Sequence, residues 1–154
     1  MRKRTWVILG VATWAALLIG LAVSSYRTDP PTIPGQTTVA QARTTMDRVT
    51  GELQAVSASL QIGEYAEQQC DITNAREGLA LRRQLTFTTP PGGEATLLRS
   101  IAAELPTAYH ARTSGSDDTI SLYADAGTFV TVRGRRADPG EVIVTLASGC
   151  RAKS

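Results

Sequence analysis

The sequence predicts an α+β protein: an N-terminal transmembrane helix, then a mainly antiparallel sheet of about four to five strands covered by two helices. Residues 6–23 run for 18 positions without a charge, and residues 39–60 place apolar side chains at intervals of three and four. From Leu79 onward, short alternating stretches are separated by Gly, Pro and Asp.

The run WVILGVATWAALLIGLAV (6–23) spans about 27 Å as a helix, and Thr5, Ser24 and Ser25 extend it toward the roughly 30 Å hydrocarbon core. Arg2, Lys3 and Arg4 precede it and only Arg27 follows closely. The positive-inside rule then expects a cytoplasmic N-terminus and an extracytoplasmic body held at the cell membrane by a single pass. Cleavage after Ser24, in the small-residue context Ala22-Val23-Ser24, is the competing expectation and gives a secreted domain. The run is longer than an ordinary signal-peptide core, which favours a retained anchor. Ala12, Ala16 and Gly20 recur every four residues, so a homodimer through this helix stays open.

Residues 28–37 read TDPPTIPGQT, an extended spacer between residues 1–27 and a domain over residues 38–154. Val39, Ala42, Met46, Val49, Leu53, Val56 and Leu60 then form one helical stripe, and Thr38 with Gln41 matches a capping box. Valine and alanine make a weak coiled-coil seam, so a helix laid on a sheet is the better reading. Residues 61–77 read as a polar stretch and an irregular link. Leu79, Leu81, Leu85 and Phe87 share one face of a strand, with Arg83 out of pattern unless it reaches a partner. PPGG (90–93) ends that strand. Leu97, Leu98, Ile101, Ala102 and Leu105 mark a second helix over 94–105, stopped by Pro106. Strands follow over 107–113, the weakest, and over 119–125, 128–133 and 141–147. Their short connections imply antiparallel hairpins.

Charge and hydropathy divide with the chain. The 154 residues are 42 % hydrophobic with a formal charge of +2, whereas residues 28–154 are 38 % hydrophobic and carry −2. A mildly acidic body argues against a nucleic-acid partner. So does the shortage of aromatic residues beyond Tyr65, Phe87, Tyr109, Tyr123 and Phe129. The lean body needs help to hold its core, and Cys70 and Cys150 are the candidates. In an oxidising compartment they are most simply a disulfide, whose loop of about 80 residues is worth at most roughly 4.5 kcal/mol. Separate thiols or an intermolecular bridge are the alternatives.

Two cysteines without CxxC spacing and one histidine do not readily make a metal site. No phosphate-cradling glycine motif or dinucleotide fingerprint occurs, so no cofactor is expected. His110, with Ser114, Ser116, Asp117 and Asp118 in HARTSGSDD, is the basis for the alternative of a hydrolase-like enzyme. The segment lacks a G-x-S-x-G elbow and has the composition of a turn, which favours a domain without catalysis. Arg133, Arg135 and Arg136 cluster at a hairpin and are the candidate binding residues, for an envelope protein or an anionic wall or lipid component.

The run LYADAGTFVTVRGRRADPGEVIVTLASGCR, the earlier Cys70 and the excess of arginine over lysine resemble uncharacterised membrane-anchored or secreted proteins of high-GC actinobacteria. The resemblance implies an envelope location and a paired cysteine, and it supplies no activity. The sequence thus leads to a membrane-anchored, extracytoplasmic binding domain of the cell envelope.

Overall fold

The structure, a computed structural model, describes residues 2–28, 37–57, 59–73 and 76–152. The spacer expected over residues 28–37 lies almost wholly outside the described residues. The chain forms two compact units, residues 1–32 and residues 33–154.

The first unit is helix α1 (Arg2–Thr28). Among the described residues, no helix is long and apolar enough to cross a membrane. This corrects the expected transmembrane helix over residues 6–23. It also corrects the single-pass cell-membrane localisation with a cytoplasmic N-terminus and an extracytoplasmic C-terminal domain.

The second unit starts with α2 (Val39–Val56), whose N-terminus is closed by the expected capping box. Gln41 N–H reaches the Thr38 hydroxyl while Thr38 N–H reaches the Gln41 side chain. The buried stripe is Ala42, Met46, Val49, Thr50 and Leu53. Strands β1 (Leu60–Thr73) and β2 (Arg76–Thr88) follow as a hairpin, then α3 (Glu94–Glu104) and a 3₁₀ turn at Thr107–Tyr109. Strands β3 (Arg112–Ser114), β4 (Ser121–Asp125), β5 (Val130–Arg136) and β6 (Glu141–Ser148) complete the chain. They form one six-stranded sheet in the order β1-β2-β6-β5-β4-β3, with every pairing antiparallel.

Six strands replace the expected four to five, and the difference lies at the edges. Residues 60–73, expected to be helix end and polar link, form the outer strand β1. A register shift between Ile62 and Tyr65 breaks its alternation. Polar side chains suit an edge strand, which is half solvated. At the other edge, the strand expected over residues 107–113 shrinks to the three residues of β3 behind the 3₁₀ turn.

One face of the sheet supplies the core. Leu81, Leu85 and Phe87 of β2, Val142, Val144 and Leu146 of β6, Val130 and Val132 of β5, and Leu122 and Ala124 of β4 are all buried. Leu98 and Ile101 of α3 belong to the same cluster as the α2 stripe. Gly134 of β5 is small for a reason: a Cβ there would stand 2.7 Å from Leu98 Cδ2 and 3.0 Å from Leu122 Cβ. The glycine sets how closely α3 lies on the sheet, and among the described residues of the second unit no helix packs on the other face.

Candidate functional site

Period-two alternation decides which arginines meet a helix and which face outward. On β5, Val130, Val132 and Gly134 are buried, so Thr131, Arg133 and Arg135 project from the open face. Strand register then lines up rows across that face. One row runs Gln84, Thr145, Arg133, Tyr123 and Arg112, and the next runs Thr86, Ile143, Arg135, Ser121 and Ser114. Tyr123 lies between two guanidinium groups, with Arg112 4.8 Å and Arg133 6.0 Å from its ring centroid. A shallow groove of about 490 Å³ opens here, lined by Arg82, Ser121, Tyr123, Arg133, Arg135 and Thr145 among others. A second hollow of about 350 Å³ shares Tyr123 and continues past Thr131 and Ala147 to Phe129 and Gly149, with Asp125 at its side.

The arginines on the helix-covered side are arranged differently. Arg83 binds Asp47 at 3.0 Å and the Gly63 carbonyl at 3.0 Å, which resolves its misfit on an apolar strand face. Arg43 binds Glu67 at 2.8 Å, Arg48 binds Glu52 at 3.3 Å, and Arg99 pairs with Asp117. Tyr65 is stacked between Arg43 and Arg83, 4.6 and 4.4 Å from its centroid, and donates to Asp47 at 2.7 Å. Burial first, and then its bond to the Asp47 carboxylate, push the Tyr65 phenol up to about 12. Tyr109 is pushed up to about 12 in the same way, by burial and by its bond to Glu52. Among the described residues, Arg82, Arg112, Arg133 and Arg135 enter no ion pair.

The three arginines singled out from the sequence therefore separate. Arg133 and Arg135 line the groove, but Arg136 has the opposite parity and turns toward the buried Glu94 and the exposed Asp118. It binds Asp118 at 3.1 Å, donates to the Asp117 carbonyl at 2.9 Å, and lies 3.7 Å from Glu94. The Glu94 carboxyl is held below the usual carboxylate range, chiefly by the Gly140 N–H it accepts. Arg82, Arg112 and Tyr123 join Arg133 and Arg135 instead. Strand parity marks Arg82 as outward from sequence alone, but the strand order that brings it beside Arg133 is not visible there.

His110 ends the 3₁₀ turn in the left-handed region, φ 48°, and is exposed. Ser114 bonds Ser121, Ser116 bonds Thr119, and Asp117 and Asp118 hold Arg99 and Arg136. These residues are thus occupied within their hairpin and with neighbouring arginines. No group of three or more His, Cys, Asp or Glu able to hold a metal occurs among the described residues.

Cys70 and Cys150 stand at disulfide distance, Sγ–Sγ 2.06 Å and Cα–Cα 5.9 Å. Gly78, opposite Cys70 on β2, leaves the bridge its space: a Cβ there would lie 2.8 Å from Cys150 Sγ. The next residue, Arg151, is fully buried. Its guanidinium donates to the Thr37 carbonyl at 3.2 Å and to the Thr128 carbonyl, and burial lowers its pKa. Arg151 thereby holds the turn before β5, in which Gly127, Thr128 and Phe129 all have positive φ (78°, 49° and 58°). Gly149 N–H closes that turn on the Phe129 carbonyl at 3.2 Å, and the Phe129 ring stays 43 % exposed at the rim of the second hollow.

No protein-family model matches the chain, and no curated protein matches it. Its fold is similar to the crystal structure of a DUF4853 family protein from Actinomyces odontolyticus, with a TM-score of 0.58 at 14 % identity, covering 80 % of this chain and 75 % of that one. At this identity the likeness is one of fold. The neighbour comes from an actinobacterium and an uncharacterised family, which matches the coarse part of the resemblance seen in the sequence. Membrane anchoring is not part of the likeness.

Proposed function

We propose that residues 38–154 form a non-catalytic binding domain whose open sheet face holds an anionic ligand. The observation that carries this reading is the division of the arginines. Arg43, Arg48, Arg83, Arg99 and Arg136 are paired with carboxylates, whereas Arg112 and Arg133 flank Tyr123, and Arg82 and Arg135 line the groove with Arg133, with no acid paired to these four among the described residues. Planar guanidinium groups that are weakly hydrated and unpaired suit bidentate capture of carboxylate or phosphate. The chain's mildly acidic body makes such a basic face locally distinct rather than a reflection of net charge.

Fluorescence anisotropy with labelled poly-L-glutamate tests the reading. Binding is expected at about 20 mM salt and strong weakening at about 200 mM, because exposed charges are screened. Arg133→Ala and Arg135→Ala are each expected to weaken it by about tenfold or more, the worth of a charge-assisted hydrogen bond. Stability should change by less than about 0.5 kcal/mol, since both side chains are exposed. Arg99→Ala, which removes a helix-side ion pair, leaves binding unchanged. Equal binding by all three variants, or none by the native chain, contradicts the reading. Competition by alginate or single-stranded DNA reports whether another polyanion fits the face better.

A further inference from the structure

Resting on the anion-binding reading above, we infer that the ligand is an extended acidic peptide segment with carboxylates on alternate residues and an apolar side chain at one end. Arg133 and Arg135 lie two residues apart on one face of β5, and Thr131 lies two residues further back. Antiparallel strands advance about 3.4 Å per residue, so these positions recur about every 7 Å and the three span about 14 Å. An extended peptide has that same period. Laid along β5, it brings alternate side chains over Arg135, Arg133 and the hollow beyond Thr131. Acids two positions apart then meet successive guanidinium groups, and adjacent acids cannot, because one of them points away.

The groove also changes character along this line, which gives the ligand a polarity. At one end stand Arg133 and Arg135; at the other, in the row where Thr131 pairs with Ala147 and Asp125, stand Gly149, the exposed ring of Phe129 and the carboxylate of Asp125, with Arg82 across the sheet opposite Ala147. Asp125 repels an anion, so a uniformly charged polymer meets one unfavourable end. An apolar side chain fits there against Phe129. The chain holds this ring outward at a cost: Thr128 and Phe129 are consecutive non-glycine residues with positive φ, and the buried Arg151 binds the carbonyl between them. Phe129 is the anchor for the apolar residue, and Arg133 and Arg135 are the anchors for the two acids.

The test uses the full chain and fluorescein-labelled hexapeptides. The probe Phe-Ser-Asp-Ser-Asp-Ser is expected to bind at least tenfold tighter than Phe-Ser-Asp-Asp-Ser-Ser, which has the same composition with adjacent acids. It is also expected to bind at least threefold tighter than the version with Ser in place of Phe. Phe129→Ser should remove that second difference and leave the first. Equal affinity for the alternating and adjacent probes overturns the inference, as does loss of both peptides alike in Phe129→Ser. Both peptide comparisons use the unaltered protein, so they decide even where a variant fails to fold. Poly-L-glutamate bound through Arg133 and Arg135, with no preference among the hexapeptides, removes the peptide inference and leaves the anion reading standing. Absence of all polyanion binding removes both.

Discussion

Tyr65 and Tyr109 carry the charge logic of the helix-covered side down to single protons. Each phenol donates to a carboxylate that is itself held by an arginine, Asp47 by Arg83 and Glu52 by Arg48. Burial disfavours the ionised phenol, and the bond to the acid and the acid's own negative charge add to it, which is why both are pushed up to about 12. The fold therefore binds the phenolic proton more tightly than the unfolded chain does. The stability this lends is whole below about pH 10, the ordinary tyrosine value, and falls as pH rises toward 12. Absorbance at about 295 nm should show two tyrosines titrating late, and Tyr65→Phe and Tyr109→Phe should each remove one of them. The arginines were only half legible at this scale. Clustering of Arg133, Arg135 and Arg136 is plain in the sequence, but their separation depends on Glu94 and Asp118, acids 42 and 18 positions from Arg136.

At the scale of elements, legibility followed amphipathicity. The α2 stripe, the Thr38–Gln41 cap, α3 and the inward faces of β2, β4, β5 and β6 are written in apolar spacing, because each buries one side. Strand β1 has no such pattern. It pairs on one side only, its register slips after Ile62, and Gly63 packs where a Cβ would meet the Gln84 carbonyl at 2.7 Å. What holds the end of this strand is covalent: Cys70 to Cys150, across β2 at Gly78. The double variant Cys70→Ser/Cys150→Ser should lose up to about 4.5 kcal/mol in denaturant unfolding, the chain-entropy worth of an 80-residue loop. Amide exchange should rise most in β1 and in the 127–129 turn, because Arg151, next to Cys150, holds the Thr128 carbonyl. Uniform exchange across the sheet would place the bridge outside that connection.

For the whole molecule, one side of the sheet carries the core, and the other presents Arg82, Arg112, Arg133 and Arg135, which enter no ion pair among the described residues. The apolar spacing of α2 and α3 was legible, since layer architecture is set by which faces are apolar. The fold class expected from the sequence was not: three helices, none among the described residues able to cross a membrane, and a six-stranded antiparallel sheet replace the transmembrane helix and four to five strands. Nor was the groove, because strand order β2-β6-β5-β4 brings Arg82, Thr145, Arg133 and Tyr123 together from distant positions. The uncharged run of residues 6–23 led to a membrane location that the described helices do not support. The most direct test of the central claim is a titration of the ¹⁵N-labelled protein with tetraglutamate, followed through its amide resonances. Shifts are predicted at Arg82, Tyr123, Arg133, Arg135 and Thr145, with α2 and α3 unmoved. Shifts centred on α2 and α3, or none at saturating tetraglutamate, would contradict an anion site on the open face.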